Sequence, residues 1–174
     1  MTRLYTYITT GTYYFLKKLE EQHPDECMLL MQNAETALLW HETKGATVFQ
    51  SPRKYEVIHS SGQLEKKGFI ACNHVPVREE GRPVFEFKFT ERMKKVESFP
   101  GFTAFRLLRP LSNDTYIVMT MWRDEEAYKD WKQSSSFVES HSKALQSAES
   151  TSVFSGPSYV SVFVLEDKKE EDAD

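Results

Sequence analysis

Residues 99–122, FPGFTAFRLLRPLSNDTYIVMTMW, decide the fold. Pro100-Gly101 ends whatever element precedes it. Residues 102–111 and 116–122 then read as two strands joined by the turn Ser112-Asn113-Asp114. A helix is expected on either side of this hairpin. Upstream, Phe85, Phe89, Met93 (or Arg92), Val96 and Phe99 recur at helical spacing through residues 84–98. Downstream, Asp124 reads as an N-cap with Glu125 and Glu126 in the first turn of a helix over 125–133. A further helix is expected over 137–145. Flanking strands at 69–77 and 159–165 complete the order β-α-β-β-α-β, which is ferredoxin-like.

The first half looks like a shortened copy. A strand at 4–9 leads through Thr10-Gly11-Thr12 into a helix from Tyr13 to about Gln22, ended by His23-Pro24. Two apolar runs, 27–32 and 37–41, flank the turn Asn33-Ala34-Glu35-Thr36, and 55–59 reads as one more strand. Ser60-Ser61-Gly62-Gln63 reads as a linker. In each half the second hairpin strand carries a tryptophan, Trp40 or Trp122. The expected organisation is therefore an N-terminal β-α-β-β half-domain over 1–62, a C-terminal domain over 66–165, and an acidic tail over 166–174. Each half has a sheet with one face covered by helix, so the two remaining faces are expected to pack on each other.

Composition narrows the function. The 174 residues contain 40% hydrophobic and 28% charged residues, ordinary for a globular chain. The net charge of −4 resides in the last nine residues, which hold six acids and two lysines; the body before them is neutral. A neutral body disfavours nucleic acid as a partner. No apolar run is long enough for a transmembrane segment, and the N-terminus lacks a secretory h-region, so a cytoplasmic location, at most peripheral to a membrane, is expected. Cys27 and Cys72 are expected to be buried, reduced thiols.

No Gly-x-Ser-x-Gly, phosphate-binding loop, dinucleotide fingerprint or Cys-x-x-Cys occurs. Three residues remain as candidates. Asn73 stands inside an apolar strand, where an amide is unfavourable and needs a partner. Trp131 lies on the helix after the Trp122 strand, where a tryptophan is most often core. His141 shares a helix face with Phe137 and Leu145. A histidine there is usually a satisfied core residue; its sharper reading is an axial haem ligand.

Taken in order, Asn73, the Phe99-Pro100-Gly101-Phe102 turn, Trp122, Ala127-Tyr128-Lys129-Asp130-Trp131 and Phe137-Val138-Glu139-Ser140-His141 resemble the antibiotic biosynthesis monooxygenase (ABM) family, and within it the IsdG-type haem-degrading monooxygenases. The whole chain resembles two-domain members of that family, both the HmoB-type haem monooxygenases and the TRAP (target of RNAIII-activating protein) signal transduction proteins. The stretches that carry this are Leu4-Tyr5-Thr6, Ser51-Pro52 with Tyr55-Glu56-Val57-Ile58, and Phe105-Arg106-Leu107-Leu108-Arg109-Pro110.

The resemblance implies an α+β fold, a dimeric-type barrel formed by the two halves within one chain, as a monomer or weak homodimer. It implies haem as both substrate and cofactor, with O2 and an external electron donor, either a reductase or a small-molecule reductant. His141 would bind the iron, Asn73 the distal ligand, and Trp131 would press on the porphyrin, with Phe137 in the pocket. Signal transduction without haem chemistry, or oxygenation of another aromatic substrate without a cofactor, are the other functions the resemblance allows.

Overall fold

In the computed structural model of the chain, residues 3–134 and 153–165 are described. The chain order is β1 (Tyr5–Gly11), α1 (Tyr13–Glu21), β2 (Cys27–Gln32), β3 (Ala37–Thr43), β4 (Arg53–Gly62), β5 (Gly68–Pro76), a 3-10 turn at Glu79–Gly81, α2 (Arg82–Val96), β6 (Phe102–Pro110), β7 (Thr115–Trp122), α3 (Glu125–Lys132) and β8 (Tyr159–Leu165). The expected helix at 137–145, with Phe137 and His141, and the acidic tail at 166–174 lie outside the described residues.

Local chemistry accounts for the helix starts. Thr12 caps α1 by accepting from the Phe15 amide at 3.3 Å, and Asp124 caps α3 by accepting from the Ala127 amide at 2.9 Å. Arg82-Pro83 opens α2, where the missing proline N–H costs nothing. The turn before β3 is built by Asn33, whose Oδ1 accepts from the amides of Glu35 and Thr36.

The eight strands close into one barrel in the order β1-β3-β2-β8-β5-β7-β6-β4. Numbered within its own half, each set of four runs fourth-first-third-second, so the halves share one topology. They meet at two seams of unequal quality. β4 pairs with β6 through seven residue pairs, Tyr55↔Pro110 to Gly62↔Ala104. β2 meets β8 at Gln32↔Val164 alone, supplemented by the Asn33 Nδ2 donating to the Val162 carbonyl at 3.1 Å.

The barrel interior is apolar and drawn from both halves, with Ile8, Leu29, Met31 and Trp40 against Ile70, Cys72, Ile117, Met119 and Phe163. Full burial of such side chains contributes about 1.5–3 kcal/mol each. Outside the C-terminal sheet a second core lies under α2 and α3, and outside the N-terminal sheet a smaller one forms around Leu16, Met28 and Leu39.

Two expectations are corrected. Residues 60–62 are not a linker: they continue β4, because their backbone pairs with Phe105 and Arg106 of β6. Cys27, at the edge of the barrel, is exposed, whereas Cys72 is buried, and burial pushes its thiol up to about 12. Trp40 and Trp122 are not equivalent. Trp40 fills the barrel interior, and Trp122 points outward beneath α3, since adjacent residues of a strand face opposite sides.

Candidate functional site

Alternation along β5 divides its residues between two environments. Ile70 and Cys72 face the barrel interior; Phe69, Ala71, Val75 and Val77 face the helical layer. Asn73 belongs to the second set, flanked across the sheet by Val118 of β7 and Val160 of β8. Its Oδ1 is buried and has no hydrogen-bond partner among the described residues. An unsatisfied buried amide oxygen costs roughly 1–3 kcal/mol, so the fold tolerates a specific local penalty at this point.

The surface around Asn73 is an apolar shelf that the described elements leave partly open. Val160 and Val164 of β8 are 53% and 49% exposed. Two helices pack on the core that this face belongs to. α2 has fifteen residues, of which only Phe85 and Val96 are buried; Phe89 and Met93 are partly covered against the same core. α3 brings Trp131 onto Trp122, with ring centroids 5.2 Å apart and planes 30° apart, and Tyr128 onto Phe69 at 5.3 Å. Trp122 pairs with Phe69, four residues from Asn73, so the aromatic cluster and the amide are separated by about 13 Å of strand. The two candidates therefore share one face, and Trp131 is wedged into an aromatic stack, not free-standing. Phe137 and His141 lie outside the described residues.

A cleft of about 490 Å³ opens beside this face, lined by Phe69, Val162, Val164, Asn33, Arg123 and Asp124 among others. It lies where β2 and β8 barely pair.

Polar pins fix α2 over the sheet. Glu86 receives Nε and Nη2 of Arg109 at 2.8 and 2.6 Å, together with the Tyr116 hydroxyl. Burial by itself raises the Glu86 carboxyl, but the hydrogen bonds from Arg109 and Tyr116 outweigh it and hold the group below its ordinary value. Arg109 reaches on to Glu56 of β4 at 3.2 Å. One helical turn after Glu86, Thr90 meets His59 of β4 at 2.8 Å. On the same helix the Arg92 guanidinium lies 5.1 Å from the Phe89 ring centroid, and burial lowers its pKa. Such a half-buried cation on an apolar helix face suits a carboxylate-bearing apolar ligand.

Sequence reasoning missed Glu86, Arg109, Tyr116 and His59, whose partners are 23 to 31 residues away in the chain. Arg92 did leave a signal, a basic residue in the apolar stripe of α2.

Among the described residues no helix is long and apolar enough to cross a membrane. Residues 68–143 match the antibiotic biosynthesis monooxygenase (ABM) family. The Signal transduction protein TRAP of Staphylococcus aureus is 34% identical over 82% of this chain and 84% of its own length. A solved structure described as a major regulator of staphylococcal pathogenesis superposes with a TM-score of 0.81 at 27% identity, over 94% of this chain and 99% of that one. The heme-degrading enzyme LmHde of Listeria monocytogenes has the same fold, with a TM-score of 0.72 at 22% identity over 93% and 99% of the two chains. With 34% identity to TRAP over 143 aligned residues, an ABM match over residues 68–143 and a barrel closed by two ferredoxin-like sheets, this chain belongs to the TRAP family of ABM-domain proteins.

Proposed function

We propose that the protein is a haem-degrading monooxygenase whose site lies on the outer face of β5 and β8. The observation that carries this reading is the buried, unpartnered Oδ1 of Asn73 in the middle of a partly open apolar shelf. A flat apolar ligand with one polar centre fits that arrangement: apolar surface is available for the ring, and an amide oxygen without a partner among the described residues marks a carboxamide free to turn toward a group bound at its centre. Arg92 supplies a cation for a ligand carboxylate.

When bound, haem supplies the iron that takes up O2 and the tetrapyrrole that is oxidised. The roles of the chain follow from the resemblance and, for Asn73 and Trp131, from their shared face. By the resemblance, His141 would hold the iron. Asn73 would turn its carboxamide toward a polar group carried by the bound haem and orient that group. Trp131, held by Trp122 and Tyr128, would press on the ring as a rigid body and keep water away, with Phe137 adding apolar cover. Electrons come from a reductase or a small-molecule reductant.

The experiment is a haemin titration of the full chain between 350 and 700 nm, followed by ascorbate in air. A saturable one-to-one Soret band that bleaches with iron release supports the reading. Absence of a saturable band removes it.

A second reading is signal transduction on the same fold without haem chemistry. The specific observation in its favour is that the relatives named TRAP share 34% sequence identity over 82% of this chain, whereas the likeness to the heme-degrading enzyme is one of fold. The titration separates the two.

A further inference from the structure

We propose that His59, which belongs to the N-terminal half of the chain, is a positioning residue for the site on the C-terminal half, holding the α2 wall at its working height above the sheet. The proposal begins with a register shift in β4. Val57 pairs with Leu108 and His59 with Leu107, so Ile58 is an extra residue with no opposite number. Without the bulge, His59 would follow Tyr55 and Val57 into the barrel interior, where both of those pack. With it, His59 sits opposite Leu107, which belongs to the core beneath α2. The bulge thus turns a histidine from the inside of the barrel to the outside.

The bond it makes there is to the Thr90 hydroxyl. With the Thr90 hydroxyl donating to the Glu86 carbonyl at 3.1 Å, its oxygen accepts from His59 Nε2–H at 2.8 Å in the Nε2-protonated tautomer. Glu86, one turn earlier, is held by Arg109 and Tyr116 of the C-terminal sheet. One turn of α2 is therefore fixed to both halves of the barrel. Phe89 and Met93 adjoin or follow this turn and pack against the core that also holds Ala71 and Val118, the neighbours of Asn73, while few of the helix's own residues are buried to hold it down. An N-terminal half that merely completed the barrel would have no need to place a hydrogen-bonding side chain on this face.

The function of the wall rests on the haem reading; the attachment of α2 does not. The test therefore has two arms, both on the full chain. In the first, amide hydrogen exchange over residues 86–96 is measured in wild type, His59→Ala, Thr90→Val, Thr90→Ser and the His59→Ala/Thr90→Val pair. Loss of one hydrogen bond of ordinary strength is expected to accelerate exchange about fivefold in either single variant. The pair should go no further, Thr90→Ser should match wild type, and the strands should be unaffected. Unchanged α2 exchange in His59→Ala, or acceleration spread evenly over the barrel, overturns the proposal.

In the second arm haemin dissociation is followed. It should rise by a similar factor in His59→Ala and Thr90→Val, with the Soret maximum unmoved and Thr90→Ser restored to wild type. A displaced Soret maximum would make His59 a ligand, and an unchanged dissociation rate would make it a structural pin; either overturns the positioning role. If wild type takes up no haemin, the haem reading fails, and the first arm alone decides whether His59 sets α2.

Discussion

Arg106 of β6 and Glu42 of β3 form an ion pair on the inner side of the barrel that ties its two halves together. Arg106 Nε lies 2.6 Å from the Glu42 carboxylate, and the two side chains are 6% and 12% exposed. Nη1 of the same guanidinium donates to the carbonyls of Ser61 and Gly62, at the end of β4. One cation thus binds β6, β4 and β3.

Breaking this pair from one side strands a buried charge. Glu42→Ala is expected to lower stability by about 3–5 kcal/mol, whereas the double change Glu42→Leu/Arg106→Met should recover much of that loss. Equilibrium urea unfolding of the two variants and wild type measures both. Additive losses would show that the ion pair is not the connection between the halves.

Asn73 offers a test that separates function from folding. Its Oδ1 has no partner among the described residues, so Asn73→Val should leave the haem-free protein as stable as wild type or up to about 1 kcal/mol more stable. Asn73→Ala should retain haemin but lose turnover. Thermal unfolding gives the first result and ascorbate-driven bleaching the second. A clear destabilisation in Asn73→Val would assign the amide to the fold.

Buried histidines set the acid limit of stability. Burial first, and the nearby Arg53 second, bring His74 down from 6.5 to about 4, and burial lowers His41 despite the Glu26 carboxylate 3.6 Å away. Both are neutral when folded and take up protons when unfolded, so the stability they contribute is complete above pH 6.5 and falls as pH drops toward 4. His74→Phe keeps an aromatic partner for Tyr159, which stacks on His74 at 4.4 Å, and removes the titration. Its acid unfolding midpoint should move to lower pH. Glu86 acts lower still: its depressed carboxyl contributes stability that is full above the ordinary carboxylate pKa and lost as pH falls through the folded value.

Gly101 is a backbone requirement. Its φ is +86°, and a Cβ there would stand 2.5 Å from the Ala127 side chain on α3. Gly101→Ala should cost about 1–3 kcal/mol from backbone strain alone. Adding Ala127→Gly removes the clash but not the strain, so thermal unfolding should show partial rescue.

Much of this protein was legible in one dimension. Residues 99–122 determined the hairpin, because a Pro-Gly break, two apolar runs and a Ser-Asn-Asp turn permit little else. The caps at Thr12 and Asp124 and the turn at Asn33 are contacts within three residues, so sequence alone fixed them. Asn73 and Trp131 were visible as residues out of keeping with a strand and prominent on a helix, and they do share a face.

The tertiary structure decided what depends on distant pairing. Residues 60–62 look like a linker until β6 supplies their hydrogen bonds. Trp40 and Trp122 look like repeats until register turns them to opposite sides of the sheet. The Glu86–Arg109–Tyr116 cluster and the His59–Thr90 pin join residues far apart in sequence, and one of them depends on a single inserted residue at Ile58. Alternation and capping are local properties that a sequence carries openly; which face a side chain finally occupies is set by strand register, and register is fixed only when the barrel closes.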